Sequence, residues 1–402
     1  MKNKTSIKGN IHYVGVNDRQ KHLFENLWPL PQGISYNSYL IDDKKIALID
    51  TVDVCYFEAH LRKIKSIIGD RPIDYLVINH MEPDHSGSIR LIKQYYPDII
   101  LVGNHHTSCM IEGFYGIVDE QCIVNDGDHL ELGSCKLSFR LTPMVHWPET
   151  MMTYCAREKV LFSGDAFGCF GALGGGFIDD NIYTDIYWEE MVRYYSNIVG
   201  KYGGPVQKAL TKLGNIPVSA ICPAHGPVWT TFLNTARVLS LYRKLSRYDG
   251  DDGVVVVYGS MYGNTEQMAE AIAAELSAQG VMNVIVHNLS KSHSSYILSD
   301  IFKFKGLIVG CPTYNGQLYP EMEALLSKIA GRDMKNRYFS YFGSFSWAGA
   351  AVKKLSEFAE KSNFELVGQP VEMKHAMKEE TYAECEALAR AMAKKIVRTT
   401  KY

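Results

Sequence analysis

The sequence contains nine cysteines but no pair of them at the C-x-x-C spacing. This absence excludes a zinc knuckle, a thioredoxin-type redox pair and an attached rubredoxin module. The cysteines are odd in number and spread singly along the chain, a pattern that favours reduced, mostly buried thiols over a disulfide framework. If the protein handles electrons, we expect that neither a cysteine-ligated cluster nor a rubredoxin iron in the same chain carries them.

An excess of one charge is also missing, and so is a long apolar run. The 402 residues carry 42 basic and 44 acidic side chains, a balance that argues against partners such as nucleic acid or an anionic membrane. No apolar run reaches the roughly 18–20 residues that a bilayer span needs. Residues Met1 to Ser6 lead into no apolar segment, so we expect no secretory signal and a cytoplasmic protein.

The length predicts two domains, because one domain typically takes about 100–200 residues. A polar, glycine-containing stretch, Tyr248–Gly253, follows a helical pattern at Ala236–Arg247 and precedes a run of β-branched residues. We therefore expect one domain at residues 1–251 and a second at 252–402.

The second half alternates strand and helix patterns. The predicted strands are Val254–Tyr258, Val284–Asn288, Gly306–Gly310 and Tyr338–Phe342, with a weaker one near Phe364–Val371. The clearest helix is Thr265–Gln279. This alternation predicts an α/β domain with a doubly wound parallel sheet, whose ligand lies at the carboxyl ends of the strands.

The first half has a different pattern. Short strands at Ile11–Val16, Ser35–Ile41 and Lys45–Asp50 suggest a meander. A βα unit follows, with a strand at Tyr75–Asn79 and a helix at Ser88–Tyr96. We expect two mixed sheets packed together, with helices outside.

Three loops of the second half predict a cofactor site. The first is Ser260, Met261, Tyr262, Gly263, Asn264 and Thr265, between a strand and a helix. Backbone N–H groups and hydroxyls at a helix N-terminus attract an anion. The loop has no lysine, so a lone phosphate suits it better than a nucleoside triphosphate. Taken alone, it is also compatible with an ordinary capped turn.

The other two loops each carry an aromatic residue among small ones. They are Pro312, Thr313, Tyr314, Asn315 and Gly316, and then Ser344, Phe345, Ser346, Trp347, Ala348 and Gly349. Aromatic faces can sandwich a planar ring, and glycine lets the backbone approach it. A phosphate loop followed by two aromatic loops resembles flavodoxin, and the resemblance implies FMN as the cofactor.

The first half contains a pattern typical of a metal site. His80, Glu82, Asp84 and His85 directly follow an apolar strand, and residues 80, 82 and 84 point to one side if the chain is extended. Three further candidates stand at turn-like strand ends: His146, Asp165 and His225. Any one of them alone could be a capping or surface residue, but the ordered set predicts a bound cation.

This order of ligands resembles the metallo-β-lactamase superfamily, with one departure. The usual first motif of that superfamily is H-x-H-x-D-H, and zinc is its usual metal. Here the second position is Glu82. With Glu82, the site has three carboxylates and three or four imidazoles. This set is harder and more anionic than the usual one with histidine at that position, and it suits a pair of irons.

Together, the two halves resemble the flavodiiron proteins, also called A-type flavoproteins. The resemblance implies a metallo-β-lactamase-like αββα sandwich followed by a flavodoxin-like domain. It assigns His80, Glu82 and His146 to one iron and Asp84 and His225 to the other. His85 is a possible further ligand, and Asp165 bridges the two irons.

The resemblance also implies the reaction and the partners. O2 would be reduced to water with four electrons and four protons, and NO would be coupled pairwise to N2O with two electrons. The irons would bind the gas, FMN would supply electrons, and Trp147 could line the pocket or simply pack in the core. A separate donor is expected: rubredoxin, a rubredoxin reductase relay or reduced deazaflavin. The family pattern implies a head-to-tail homodimer or a dimer of dimers.

Two other functions remain open from the sequence alone. One is a zinc-dependent hydrolase with a flavodoxin-like regulatory domain, against which Glu82 argues. The other is an electron carrier or flavin-binding sensor whose lactamase-like half is inert, against which the complete ligand set argues.

Overall fold

The computed structural model describes residues 5–214 and 216–397. The chain divides into two compact units, Met1–Arg243 and Lys244–Tyr402. The boundary expected after residue 251 falls at the start of a strand of the second unit, and it remains a prediction about where the folding units separate.

The first unit contains sixteen strands among its described residues. They are β1 (Ser6–Lys8), β2 (Ile11–Tyr13), β3 (Val16–Asp18), β4 (Leu23–Phe24), β5 (Trp28–Pro29), β6 (Ile34–Tyr36), β7 (Tyr39–Asp42), β8 (Ile46–Ile49), β9 (Tyr75–Val77), β10 (Ile100–Gly103), β11 (Gln121–Ile123), β12 (His129–Glu131), β13 (Lys136–Leu141), β14 (Met151–Cys155), β15 (Val160–Gly164) and β16 (Ala220–Pro223).

Helices connect these strands. They are α1 (Phe57–Ile68), α2 (Pro83–Ser86), α3 (Ile89–Tyr95), α4 (His105–Tyr115), α5 (Asp185–Tyr194), α6 (Gly203–Leu213) and α7 (Phe232–Ser246), the last of which runs past the point of division. Short 3₁₀ turns occupy Val54–Tyr56 and Gly200–Tyr202, and a π-helical turn occupies Tyr195–Val199.

Two mixed sheets form the centre of the first unit. One has the strand order β1-β2-β7-β8-β9-β10-β11, and the other has the order β12-β13-β14-β15-β16. The ring of Tyr39 in the first sheet lies 5.3 Å from that of Phe162 in the second. On the other face of the first sheet, Leu48 and Leu76 pack with Ile64 of α1 and Ile92 of α3. This arrangement confirms the predicted sandwich of two sheets with helices outside.

The second unit contains the remaining strands and helices. The strands are β17 (Asp251–Tyr258), β18 (Val284–Asn288), β19 (Phe304–Pro312), β20 (Lys335–Phe345), β21 (Asn363–Leu366) and β22 (Val371–Lys374). The helices are α8 (Asn264–Ala278), α9 (Ser294–Lys303), α10 (Pro320–Ala330), α11 (Ala351–Lys361) and α12 (Glu379–Ile396).

All pairings in the sheet of the second unit are parallel. The strand order is β18-β17-β19-β20-β21, with β22 also beside β20. Val254 to Val257 of β17 are fully buried, as expected for a central strand covered on both faces. Met268 and Ile272 of α8 pack on this strand. The doubly wound parallel sheet predicted from the sequence is confirmed.

Three expected strands are divided in the structure. The predicted Ile11–Val16 separates into β2 and β3, and Ser35–Ile41 separates into β6 and β7. The weak strand near Phe364–Val371 is also two strands, β21 and β22. In that region Gly368 has a positive φ of 73°, a conformation that turns the chain between them.

The sequence favours reduced thiols over a disulfide framework, and one pair of cysteines departs from that expectation. Cys135 and Cys155 form a disulfide. The antiparallel pairing of β13 and β14 sets Leu137 opposite Cys155 and so brings Cys135 close to it. The other seven cysteines are free, and Cys169, Cys222, Cys311 and Cys385 among them are buried.

No helix within residues 5–214 and 216–397 is long and apolar enough to span a bilayer.

Candidate metal centre and cofactor pocket

The first four candidate ligands lie just after β9. His80 is in the segment that leaves this strand, and Glu82 is the N-cap residue of α2. Pro83 occupies the first turn of α2, a position that its fixed φ favours. The extended arrangement expected for residues 80, 82 and 84 therefore ends at Glu82. Asp84 and His85 are carried on the helical turn instead.

The other three candidates follow strands of the second sheet. His146 lies in the loop between β13 and β14, Asp165 directly follows β15, and His225 follows β16. Because β15 and β16 are parallel neighbours, their carboxyl ends meet at one edge of the sheet. The fold therefore brings residues that are far apart in sequence to one place.

The seven side chains form two adjoining clusters, all of them buried. In the first cluster, Nε2 of His146 lies 3.1 Å from Oε2 of Glu82, and Nε2 of His80 lies 3.3 Å from the same oxygen. In the second, Nε2 of His225 lies 3.3 Å from Oδ2 of Asp84 and 3.1 Å from Nε2 of His85. Every metal candidate predicted from the sequence lies in one of these clusters.

Asp165 lies between the clusters, and its two oxygens face different ones. Oδ2 is 3.0 Å from Nε2 of His146 and 3.4 Å from Nε2 of His80. Oδ1 is 3.1 Å from Nε2 of His85 and 3.6 Å from Nε2 of His225. A carboxylate in this position can contact two cations at once.

Two of the four imidazoles have partners that fix their orientation. Nδ1 of His80 is 2.7 Å from Oε1 of Glu149, and Nδ1 of His225 is 2.7 Å from the carbonyl oxygen of Ser35. Both partners are acceptors, so each Nδ1 carries the proton and each Nε2 turns its lone pair inward. This is the orientation that metal-binding histidines need.

The pKa values describe the balance of charge without a metal. Burial alone lowers the pKa of His85, but the charges of Asp84 and Asp165 outweigh it and raise the pKa to about 9. Burial likewise lowers the pKa of His146, and its contacts with Asp165 and Glu82 raise it to about 9. The carboxylates of this centre therefore need nearby positive charge, which either protons or metal ions can supply.

The side chains present fit a pair of metal ions. Both oxygens of Asp84 and Oδ1 of Asp165 are buried and accept no well-directed hydrogen bond. Unpaired carboxylate oxygens in the interior are costly unless they meet a cation. The donor set mixes carboxylate with imidazole, which suits iron, and among these candidates it has no thiolate.

Aromatic rings surround the two clusters. The rings of Phe24 and Tyr194 each have their centroid 5.5 Å from that of His225. The ring of Trp147 stands 5.2 Å from that of His80 in an edge-on orientation. These rings restrict access of water to the side chains that could bind metal.

A separate pocket of about 470 Å³ opens in the second unit, at the carboxyl ends of β17, β19 and β20. It is lined by Ser260, Met261, Tyr262, Asn264, Thr265, Pro312, Thr313, Tyr314, Asn315, Gly316, Ser344, Phe345, Ser346, Trp347, Ala348 and His375. Two predicted residues, Gly263 and Gly349, are not in the lining. Gly263 instead shapes the backbone of the first loop, and Gly349 packs against Phe345 and Glu372.

The first loop of the pocket ends at the N-terminus of α8. Gly263 has a φ of 90° and is the N-cap residue of that helix, where no side chain caps the backbone. Its N–H donates to Oγ of Ser260 at 3.1 Å. The hydroxyl of Thr265 lies 2.9 Å from that of Ser344 and ties the first loop to the third. The uncapped first turn of α8 can therefore accept an anion.

The pocket fits a phosphate attached to a planar ring. Tyr262 and Trp347 are 92% and 90% exposed, which leaves their faces open. No described lining residue is acidic, so nothing in the lining repels a phosphate. Both features match FMN.

Comparisons with known proteins find relatives for both halves of the chain. Residues 34–226 match the ODP family beta lactamase, and residues 256–388 match flavodoxin. The anaerobic nitric oxide reductase flavorubredoxin of Escherichia coli is 35% identical over 366 residues, 90% of this chain and 76% of that protein. The rubredoxin oxygen:oxidoreductase of Desulfovibrio gigas has a TM-score of 0.93 and 31% identity, with 98% of both chains covered.

A further solved structure bears the family's name. The flavodiiron protein of Giardia intestinalis has a TM-score of 0.90 and 25% identity, covering 96% of this chain and 95% of that one. The chain belongs to the flavodiiron protein family. The resemblance and the fold class predicted from the sequence are both confirmed.

In this flavodiiron protein, the structure adds residues that the sequence pattern did not indicate. Glu149 and Ser35 hold His80 and His225 from 69 and 190 positions away. His375 lines the flavin pocket because it follows β22, whose end lies beside that of β20. The sequence predicts one weak strand near Phe364–Val371, and His375 lies beyond its end, so the prediction gives no reason to place His375 at the pocket. Glu149 had one available signal, its place three residues after His146.

Proposed function

We propose that this flavodiiron protein is an oxidoreductase that reduces O2 to water, NO to N2O, or both. The observation that carries the proposal is the convergence of Glu82 and Asp165 with the inward-facing nitrogens of His80 and His146. A flavin pocket in the same chain adds a store of electrons. When bound, the iron pair binds and activates the gas, and FMN supplies the electrons.

Each residue of the metal centre has a proposed role. His80, Glu82 and His146 would hold one iron, and Asp84 and His225 the other. Asp165 would bridge the two irons, because its two oxygens face different clusters.

His85 would be a further ligand of the second iron. Its Nε2 faces that cluster, but its buried Nδ1 has no hydrogen-bond partner. Its ring is therefore held less firmly than those of His80 and His225.

In the second unit, Ser260 to Thr265 would hold the phosphate of FMN at the N-terminus of α8. Thr313 to Gly316 and Ser344 to Gly349 would hold the ring. The aromatic residues Tyr262, Tyr314 and Trp347 supply flat surfaces for it. The sequence pattern places the metal domain at residues 1–251 and the flavin domain at 252–402, whereas the contacts of Tyr248 favour a flavin domain that begins earlier.

The partners are proposed on chemical grounds. The chain has no C-x-x-C pair of its own, so a separate donor would reduce the flavin: rubredoxin, a rubredoxin reductase relay or reduced deazaflavin. The metal centre and the flavin pocket belong to different units. A head-to-tail homodimer, or a dimer of dimers, would pair one subunit's flavin with the other's metals. The protein would work in the cytoplasm.

A single-turnover experiment tests the proposed reaction. The holoprotein, reduced without air, is mixed in a stopped-flow instrument with O2 or NO, and the flavin absorbance is followed. We expect rapid flavin reoxidation by at least one gas, with N2O as the product from NO. Protein stripped of iron by a chelator but still holding FMN is the control, and it should reoxidise slowly. Equal rates with and without iron would contradict the proposal.

Light scattering tests the proposed assembly. The active protein should have the mass of a dimer or tetramer during turnover. A monomer with full turnover would exclude the head-to-tail arrangement.

A further inference from the structure

Glu149 is a fully buried carboxylate next to the metal centre, but it is not one of the candidate ligands. It lies in the loop between β13 and β14, three residues after His146. Its Oε1 accepts a hydrogen bond from Nδ1 of His80 at 2.7 Å and a second from the backbone N–H of Met81 at 2.9 Å. One oxygen of Glu149 therefore holds both the ring of His80 and the backbone of Met81.

These bonds determine which nitrogen of His80 faces the metal centre. An ionised carboxylate only accepts hydrogen bonds, so Nδ1 of His80 must carry its proton. Nε2 then presents a lone pair toward Oε2 of Glu82, 3.3 Å away, and Oδ2 of Asp165, 3.4 Å away. A lone pair directed at two carboxylate oxygens is repelled unless a proton or a cation lies between them.

The loop that carries Glu149 is itself anchored. Nδ2 of Asn104 donates to the carbonyl oxygen of Glu149 at 2.5 Å. The side-chain oxygen of Asn104 caps α4 by accepting from the N–H groups of His106 and Thr107. The position of Glu149 is thus fixed by a helix end. Its side chain ties the loop that carries His146 to His80, which follows a strand of the other sheet.

We propose that Glu149 is a positioning residue that holds His80 with Nε2 toward the metal centre and makes its imidazole a stronger ligand for iron. A carboxylate bonded to the outer nitrogen of a metal-binding histidine acts in both ways. This inference rests on the proposed function, since it takes the centre to hold iron. It adds a residue outside the seven candidate ligands.

The test compares two substitutions of Glu149. They differ in whether an acceptor for the N–H of His80 Nδ1 remains. Glu149→Leu removes the acceptor and keeps a side chain of similar size. Glu149→Gln keeps an oxygen that can accept from Nδ1 but removes the charge. Asp179→Asn is the matched control, because Asp179 is a buried carboxylate of the same unit that accepts from Thr230, Thr231 and Asn234.

Iron retention is measured on the full-length proteins with ferrous iron and a graded series of chelator concentrations. We expect Glu149→Leu to weaken iron binding about 10–100-fold. Glu149→Gln should lie between that variant and the wild type, because the amide oxygen still orients the ring. FMN content and the thermal unfolding midpoint of each variant report whether the rest of the protein is intact, and Asp179→Asn should bind iron like the wild type.

Mössbauer spectra of the ⁵⁷Fe-loaded proteins separate positioning from a general loss of structure. In Glu149→Gln, one of the two iron signals should shift and the other should stay. If Glu149→Leu fails to fold, this spectrum and the iron retention of Glu149→Gln decide the question. Wild-type retention with an unchanged spectrum would overturn the role of Glu149 alone. Failure of the wild type itself to bind iron would overturn the proposed function as well.

Discussion

Four imidazole rings belong to the candidate metal centre, and they differ in what their outer nitrogen contacts. Glu149 orients His80 and the carbonyl of Ser35 orients His225, whereas Nδ1 of His85 is buried without a partner. A ring with a fixed outer nitrogen loses less freedom when it binds a metal. The centre therefore combines well-oriented ligands with one whose orientation the surrounding protein leaves less defined.

Asp165 should matter more to iron binding than any exposed carboxylate. Asp165→Ala removes the side chain whose two carboxylate oxygens face different clusters, so we expect loss of both irons and of gas reduction. FMN should stay bound, because its pocket lies in the other unit. Iron and flavin content per chain, with turnover, measure this.

Asp126→Ala serves as the control for that prediction, since Asp126 pairs with Lys212 on the surface. Unchanged turnover in Asp165→Ala would favour the alternative in which the protein is an electron carrier or flavin-binding sensor and its first unit is inert.

His60 should make the protein less stable in acid. Burial lowers the pKa of His60 to about 3, whereas an unfolded histidine titrates near 6.5. Between these values the unfolded chain binds a proton that the folded one does not, so stability falls as the pH drops below about 6.5. This group alone should lower the free energy of unfolding by about 2 kcal/mol between pH 7 and pH 5.

The measurement is urea unfolding at both pH values. His60→Gln should show a smaller fall in stability between pH 7 and pH 5 than the wild type. His129→Gln, at an exposed position of β12, should behave like the wild type. An identical pH dependence in wild type and His60→Gln would exclude this role.

The sequence indicated which residue types bind the metal but not how they are supported. His80, Asp165 and His225 could be predicted because each follows a strand, and strand ends meet at one edge of a sheet. Ser35 and Glu149 could not be predicted in their roles, because their contacts join segments that are 190 and 69 positions apart in the sequence. The same limit applies to the disulfide between Cys135 and Cys155, which depends on strand pairing.

The loops between strands and helices carry most of the chemistry, and their backbone shapes are specific. Gly263 adopts a φ of 90° where the chain turns from the phosphate loop into α8. An added Cβ there would have ample room, with Glu266 Oε2 nearest at 4.0 Å. A substitution at this position therefore tests the backbone conformation without a steric clash.

Gly263→Ala should weaken FMN binding through backbone strain. A positive φ costs a residue with a Cβ about 1–2 kcal/mol. We expect the empty loop of the variant to relax from this conformation, so that FMN binding must restore the strained form. We expect a loss of about 5–30-fold in FMN affinity, measured by titrating the apoprotein and following flavin fluorescence.

Gly280→Ala is the matched control for this change. Gly280 has a φ of 84° with nothing near its Cβ position, and it lies after α8, outside the pocket lining. Gly280→Ala should lower the free energy of unfolding by about 1–2 kcal/mol and leave FMN affinity unchanged. Equal FMN affinity in the two variants would show that the backbone of the phosphate loop does not control binding.

Long, regular elements were predictable from the sequence, and short, turned ones were not. The β-branched run at Val254–Val257 indicated a central strand because parallel strands are buried on both faces. The sequence pattern does not indicate the turn at Gly368, so it predicts one strand where the structure has β21 and β22, and it gives no sign of His375. Pro83 marked the start of α2, but the alternation of polar residues around it suggested an extended chain.

At the scale of the whole chain, contacts of Tyr248 bear on where the second unit begins. Tyr248 is buried, and its ring lies 5.9 Å from that of Phe302. Its carbonyl oxygen accepts from the guanidinium of Arg337 at 2.6 Å, while Ile301 and Phe302 accept from the same group. These contacts join residues before 252 to the core of the second unit.

Two fragments of the chain test the boundary. The fragment 244–402 should be more stable than 252–402 by about 2 kcal/mol or more, because the shorter one loses a hydrogen bond to a buried charged group and the packing of Tyr248. Urea unfolding of both FMN-loaded fragments measures the difference. Equal stability would favour the boundary at residue 251 that the sequence pattern suggested.

The polar stretch at 248–253 indicated a boundary because linkers are typically polar and rich in glycine. It gave no sign that Tyr248 packs inward, since a tyrosine in a polar segment is often exposed. The function was predictable from the whole chain because the metal-ligand motifs and the three flavin loops occur together. Neither set alone implies gas reduction.

The metal and flavin content of protein purified without air is the most direct test of the central claim, that Glu82 and its neighbours select a pair of irons. Elemental analysis with flavin extraction should give about two irons and one FMN for each chain, and little zinc. Two zinc ions for each chain with no iron would contradict this claim and favour a zinc hydrolase.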